Sequence, residues 1–213
     1  MTDLLIKVCG MKDPENIEAV ADLDPDYMGF IFYERSSRYA GSLDPIVTRK
    51  LSSRICRVGV FVNETASEIL KTVDKYQLQA VQLHGDETPA TCRLIKRTGI
   101  CTIKALPVGE AETVDAAKAY ASVCDYLLFD TKTDLYGGSG KKFNWELLNT
   151  YRGRLPFFLS GGIGASDIYL LMQYRHIKAH AIDVNSGFEI APGIKDVQKL
   201  ANFIRILRSE TRF

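Results

Sequence analysis

The chain has 213 residues, 46% hydrophobic and 25% charged, with 27 Lys and Arg against 26 Asp and Glu for a net charge of +1. Such proportions belong to a globular protein and exclude a disordered, collagen-like or coiled-coil chain, and the lack of a basic excess argues against a nucleic-acid partner. No apolar run approaches the ~20 residues of a membrane helix, the opening residues lack the pattern of a signal peptide, and an odd set of Cys9, Cys56, Cys92, Cys101 and Cys124 without Cys-x-x-Cys predicts reduced thiols in the cytoplasm rather than a disulfide scaffold or zinc site.

The first β-rich apolar run is 4–9, and Asp13-Pro14-Glu15 after it opens a helix with Asp as N-cap and Pro at the first helical position. Run 27–32 follows, then Asp44-Pro45 repeats the same device. Run 55–62 leads to a helix opening within 63–68, and run 80–83 to one opening at Asp86-Glu87-Thr88-Pro89. Run 100–106 precedes the Ala-rich amphipathic stretch 111–121. Run 126–130 is followed by a polar, Gly-rich loop with Gly137-Gly138-Ser139-Gly140, then a helix over 144–151. Run 156–160 precedes a helix at 165–174, and run 181–184 one at 194–207.

Most of these runs are near-continuously apolar, as parallel strands covered on both faces are. Eight strand–helix units of roughly 27 residues predict a single-domain α/β fold over 1–213, a (β/α)8 barrel slightly shorter than the usual ~250 residues. The alternative is an open doubly wound sheet, which places a Gly-rich turn after its first strand. Here the glycine pairs come late, at Gly161-Gly162 and around Ser186-Gly187.

In a barrel, function sits where the strands end. Cys9 ends the first strand, where a thiolate serves as base or nucleophile; a buried cysteine of structural use is the plain alternative. Asp130 ends a run of four apolar residues, so partial desolvation predicts a raised pKa and a general acid. Gly161-Gly162 and Ser186-Gly187 follow strands seven and eight, where backbone N–H groups build phosphate sites in this fold. Arg38, among small polar and aromatic residues, suits the carboxylate of an aromatic ligand, although composition alone favours a solvated surface arginine. His84 either hydrogen-bonds a ligand or caps its loop. Lys7 shares the side-chain parity of Cys9, which predicts an inward lysine paired with a buried carboxylate, and Lys104 invites the same reading.

Several segments together resemble the phosphoribosylanthranilate isomerase family. They are Lys7-Val8-Cys9-Gly10-Met11, Gly29-Phe30-Ile31-Phe32-Tyr33 with Ser36-Ser37-Arg38-Tyr39, Val58-Gly59-Val60-Phe61-Val62-Asn63, and Val81-Gln82-Leu83-His84-Gly85-Asp86-Glu87. Further on come Gly137-Gly138-Ser139-Gly140, Phe143-Asn144-Trp145, Leu159-Ser160-Gly161-Gly162, Asp183-Val184-Asn185-Ser186-Gly187-Phe188-Glu189 and Pro192-Gly193-Ile194-Lys195-Asp196. The match runs in order over nearly the whole chain.

The resemblance implies a cofactor-free and metal-free Amadori rearrangement of N-(5-phosphoribosyl)anthranilate in tryptophan biosynthesis. It implies Cys9 as base and Asp130 as acid, with Arg38 on the anthranilate carboxylate and Asp183 near the anthranilate nitrogen. It places the phosphate on the turns after strands seven and eight. The implied partner is a small phosphosugar-anthranilate substrate, with no nucleic acid and no membrane, in a monomer or homodimer. Ser160 stands where the family often has Ala, Asn185 where it often has Ser, and Asn144 where Asp is common; none touches the acid–base pair. Rival readings are the related sugar isomerisation of histidine biosynthesis, a Schiff-base aldolase using Lys104 or Lys7, and a non-catalytic phosphate-binding barrel.

Overall fold

The computed structural model describes residues 4–108, 116–131 and 143–209. Eight parallel strands close into a barrel in chain order. They are β1 (Leu5–Val8), β2 (Tyr27–Ile31), β3 (Cys56–Phe61), β4 (Ala80–Leu83), β5 (Cys101–Val108), β6 (Tyr126–Thr131), β7 (Phe157–Leu159) and β8 (Ala179–Val184). The barrel closes through β1 and β8, where Lys7 lies opposite Asp183. Closure removes the edges an open sheet would leave and settles the choice between the two predicted architectures.

Alternation along each strand sends one set of side chains into the lumen and the other toward the helices. Val58, Ala80, Ile103, Ala105, Leu128, Phe158 and Ala181 pack together inside the barrel. A larger core, including Val8, Phe30, Leu83, Leu127, Phe129 and Ile182, lies between strands and helices. The lower end of the lumen is plugged by aromatic rings. The Tyr27 hydroxyl lies 2.8 Å from His180 Nε2, and the Tyr126 and His180 rings stand 4.6 Å apart. Burial pulls the half-buried His180 imidazole below its ordinary pKa.

The helices start where their caps are. Asp13 and Asp44 accept from the backbone N–H groups of Asn16 and Ile46, opening α1 (Pro14–Ala21) and α2 (Pro45–Arg49). Thr65 and Thr88 do the same for α3 (Ala66–Tyr76) and α4 (Pro89–Lys96). Each such cap contributes about 1 kcal/mol. Two further helices, α5 (Ile168–Gln173) and α6 (Val197–Ser209), follow β7 and β8. No helix of the described residues is long and apolar enough to cross a membrane.

Four helical expectations need correction. Trp145–Thr150 forms a 3-10 segment, capped by Asn144 as its side chain suggested. Ala165–Asp167 is a 3-10 turn ahead of α5. Within 111–121, Ala117–Tyr120 is a single 3-10 segment, and 111–115 lies outside the described residues. The helix expected from 194 begins instead at Val197, because Glu189–Ala191 (β9) and Ile194–Lys195 (β10) pair antiparallel around Pro192-Gly193. Gly193 takes φ +85 there, which a helix cannot hold. The loop with Gly137-Gly138-Ser139-Gly140 lies outside the described residues.

Lys104 alternates with Ile103 and Ala105, so it faces away from the lumen. Its Nζ donates to Leu83 O at 3.1 Å, Gly85 O at 2.6 Å and Glu87 Oε2 at 2.8 Å. Glu87 in turn accepts from the N–H groups of Asn63 and Gly85. This buried pair pins the β3 and β4 loops at the upper end of the barrel.

Candidate functional site

Cys9 sits one residue beyond β1, anchored by its N–H on Val184 O at 2.9 Å. Its side chain is buried, and the space over Gly29 shows what it meets. A Cβ there would lie 2.7 Å from Cys9 Sγ and 3.2 Å from Lys7 Nζ. Glycine at 29 therefore lets the thiol and the ammonium share one small volume. Lys7 Nζ also donates to Asp183 Oδ1 at 2.9 Å, the inward ion pair that strand parity predicted. Burial pulls the Lys7 ammonium down, but Asp183 and Cys9 outweigh it and hold its pKa above the ordinary lysine value. Burial pushes the Cys9 thiol up, with Lys7 pulling the other way.

Asp130 reaches the mouth from β6. His84 Nε2 lies 3.3 Å from its Oδ2, and the Thr131 N–H donates to its Oδ1 at 2.9 Å. His84 also contacts Gln82 Nε2 through Nδ1 at 2.7 Å. The expectation of a raised pKa for Asp130 is overturned. Burial pushes it up, but His84, the Thr131 N–H and the Ser160 hydroxyl together hold it below the usual carboxylate range. Asp183 stands within electrostatic reach of both Asp130 and His84, so it joins the β1 and β6 sides of the mouth.

Arg38 is no solvated surface arginine: its side chain is 12% exposed. Its Nε donates to Glu189 Oε1 and Oε2 at 2.8 and 3.1 Å, and its Nη2 to Oε2 at 2.6 Å. Lys195 Nζ donates to the same Glu189 at 2.8 Å and to Asn185 Oδ1 at 2.7 Å. Arg38 and Glu189 thus hold the β2 loop and the β9–β10 hairpin together beside Cys9. Glu189 and Lys195 were not singled out from the sequence. The signal was present in the Pro192-Gly193 dipeptide, which marks a turn and puts the two residues on facing strands.

The predicted phosphate turns come together as well. Gly161 and Gly162 adopt φ of +94 and +64, a backbone path that L side chains rarely follow. Asp167 fixes the end of that loop by accepting from the Gly164 N–H at 2.7 Å. Ser186–Phe188 forms a 3-10 turn in which Gly187 presses on the β7 loop; a Cβ there would lie 2.2 Å from Ile163 O. Lys7 and Lys104, the two lysines with aldolase potential, are both buried in ion pairs, Lys104 on the helix side of the barrel wall.

A closed parallel barrel with thiol, imidazole, carboxylate and guanidinium groups gathered at the C-terminal ends of its strands is the build of a barrel enzyme. A model of the family described as N-(5'-phosphoribosyl)anthranilate isomerase matches residues 6–206. The chain therefore belongs to the phosphoribosylanthranilate isomerase family, enzymes of tryptophan biosynthesis.

Among relatives, the isomerase of Phocaeicola vulgatus is 44% identical over 207 residues, covering 97% of this chain and 99% of its own. The Thermotoga maritima enzyme is 38% identical over 202 residues, 94% of this chain and 96% of its own. A crystal structure of the isomerase from Thermotoga maritima superposes with a TM-score of 0.87 at 36% identity, covering 97% and 99% of the two chains. A phosphoribosyl anthranilate isomerase in complex with reduced 1-(o-carboxyphenylamino)-1-deoxyribulose 5-phosphate gives 0.84 at 32% identity, with the same coverage.

Proposed function

We propose that the chain converts N-(5'-phosphoribosyl)anthranilate to 1-(2-carboxyphenylamino)-1-deoxyribulose 5-phosphate by an Amadori rearrangement, with its own side chains as acid and base and without a cofactor or metal. The observation that carries this reading is the placement of Cys9 and Asp130 at one barrel mouth, with Asp183 between their strands. Asp130 donates a proton to the furanose ring oxygen, and the ring opens to a protonated Schiff base at C1. Cys9 takes the proton from C2, giving an enolamine that tautomerises to the ketone.

Both groups need help to reach their working protonation states. In the free protein Asp130 is held as carboxylate. The substrate brings a carboxylate and a phosphate into the mouth and displaces water, and both changes raise the Asp130 pKa. Burial outweighs the pull of Lys7 and Lys195 on the Cys9 thiol in the free protein, so these cations reduce the cost of forming its thiolate without making the thiolate its resting form.

Arg38 takes the anthranilate carboxylate, Asp183 accepts from the anthranilate nitrogen, and His84 holds Asp130 and meets the ribose hydroxyls. The N–H groups of Gly161, Gly162, Ser186 and Gly187 take the phosphate. The substrate is thus fixed at both ends while its sugar spans the acid and the base. Residues 1–213 act as one catalytic unit.

The test is to generate phosphoribosylanthranilate in situ, add purified protein with a chelator, and follow the decay of anthranilate fluorescence. Protein-dependent decay that yields the ketose product supports the reading. Decay at the spontaneous rate with folded protein refutes it.

A further inference from the structure

We propose that Glu189 and Lys195 are positioning residues that act through Arg38, setting which edge of its guanidinium meets the carboxylate of the substrate. This rests on the isomerase reading above and assigns a task to side chains to which that reading gives no contact with the substrate.

The hydrogen bonds are directional. Glu189 takes the Nε–Nη2 edge of Arg38 with both carboxylate oxygens, at 2.6 to 3.1 Å. Nη1 has no partner among the described residues, so the remaining edge is the one a ligand can use. Glu189 is itself over-determined: its Oε1 also accepts from the Gly193 N–H at 3.0 Å and from Lys195 Nζ at 2.8 Å.

Lys195 is fully buried, and its backbone is bracketed by Asn16 of α1. Its N–H donates to Asn16 Oδ1 at 2.7 Å, and its carbonyl accepts from Asn16 Nδ2 at 2.9 Å. Lys195 Nζ also holds Asn185, whose Oδ1 and the Arg38 Cδ flank Gly10; a Cβ at that glycine would stand 2.6 and 2.8 Å from them. A continuous set of bonds therefore runs from α1 through β10 and β9 to a guanidinium beside the residue that follows Cys9.

The charges add to the same end. Lys195, Glu189 and Arg38 carry one net positive charge, the complement of one carboxylate. Fixing a long arginine before the ligand arrives removes part of the ordering cost of binding. A residue that acts this way changes KM through Arg38 and leaves the proton transfers largely alone.

A double-mutant cycle tests this on the full chain. Glu189→Gln is expected to raise KM by about 10-fold with kcat changed less than about 3-fold. In an Arg38→Ala background, Glu189→Gln is expected to change KM no further, since its effect passes through the missing guanidinium. A substrate analogue lacking the anthranilate carboxylate is expected to bind wild type and Glu189→Gln alike. Lys195→Met is expected to raise KM more weakly and to lower kcat as well, because its ammonium also favours the Cys9 thiolate. Melting curves establish that each variant is folded, and Glu189→Asp replaces Glu189→Gln in the cycle if the latter is not.

Additive effects in the cycle, an unchanged KM in Glu189→Gln, or equal losses with the carboxylate-free analogue would overturn the positioning role while leaving the isomerase reading intact. A folded wild-type chain without turnover would overturn both.

Discussion

Lys104→Met removes the cation paired with Glu87, with both side chains 2% exposed. The lysine loses three hydrogen bonds, to Leu83 O, Gly85 O and Glu87 Oε2. Breaking a buried pair from one side costs about 3–5 kcal/mol, most of it from the stranded charge. Glu87 keeps the N–H donors of Asn63 and Gly85, which points to the lower part of that range. At roughly 2–4 °C per kcal/mol for a chain of this size, a loss of about 3–4 kcal/mol should lower the melting temperature by about 6–16 °C. The double variant Lys104→Met/Glu87→Gln removes the stranded charge while its amide still accepts from those N–H groups, and it should recover at least half of the loss. Urea titration followed by circular dichroism measures both variants. A single-variant loss under about 1 kcal/mol, or a double variant less stable than the single, would refute the reasoning.

Arg38→Ala should raise KM by at least about 10-fold with a smaller change in kcat, read in the fluorescence assay; an unchanged KM would leave Arg38 a purely structural residue. Gly162→Ala places a Cβ at φ +64 and should weaken the proposed phosphate turn, seen as a higher inhibition constant for inorganic phosphate than in wild type. Glu189 has its carboxyl held below the ordinary value of 4.5, against burial, by Arg38, Lys195 and the Gly193 N–H. A depressed folded-state pKa adds stability that is fully present above the unfolded pKa and is lost as pH falls through the folded one. Melting temperatures of wild type and Glu189→Gln should therefore differ at neutral pH and converge as pH drops below about 4.5. A gap that widens toward acid would contradict that sign.

The barrel was legible because each unit carries its own punctuation. Asp13-Pro14 and Asp44-Pro45 mark helix starts that the structure repeats residue for residue. Strand parity turned Lys7 inward and predicted a buried carboxylate partner without identifying it as Asp183, but the same inward reading fails at Lys104, which faces the helix side and pairs with Glu87. What the sequence hid depends on long-range contacts. The depressed pKa of Asp130 comes from His84, 46 positions away, and from Ser160 just beyond the next strand, neither of which the run Tyr126-Leu127-Leu128-Phe129 reveals. Arg38 looked solvated because its partner lies 151 positions further along. The expected helix over 194–207 took in Ile194 and Lys195, the β10 half of the hairpin, although Pro192-Gly193 just before them marks a turn.

The most direct measurement of the central claim is single-turnover fluorescence decay with Cys9→Ala and Asp130→Asn beside wild type, using substrate protonated or deuterated at ribose C2. Each substitution should slow the chemical step by at least about 10²-fold with KM changing less, and deuterium should slow the wild-type step. Near-wild-type turnover in either variant would remove that residue from its role. A wild-type rate indifferent to deuterium, with chemistry limiting, would contradict proton transfer from C2 as the step the barrel mouth is built to perform.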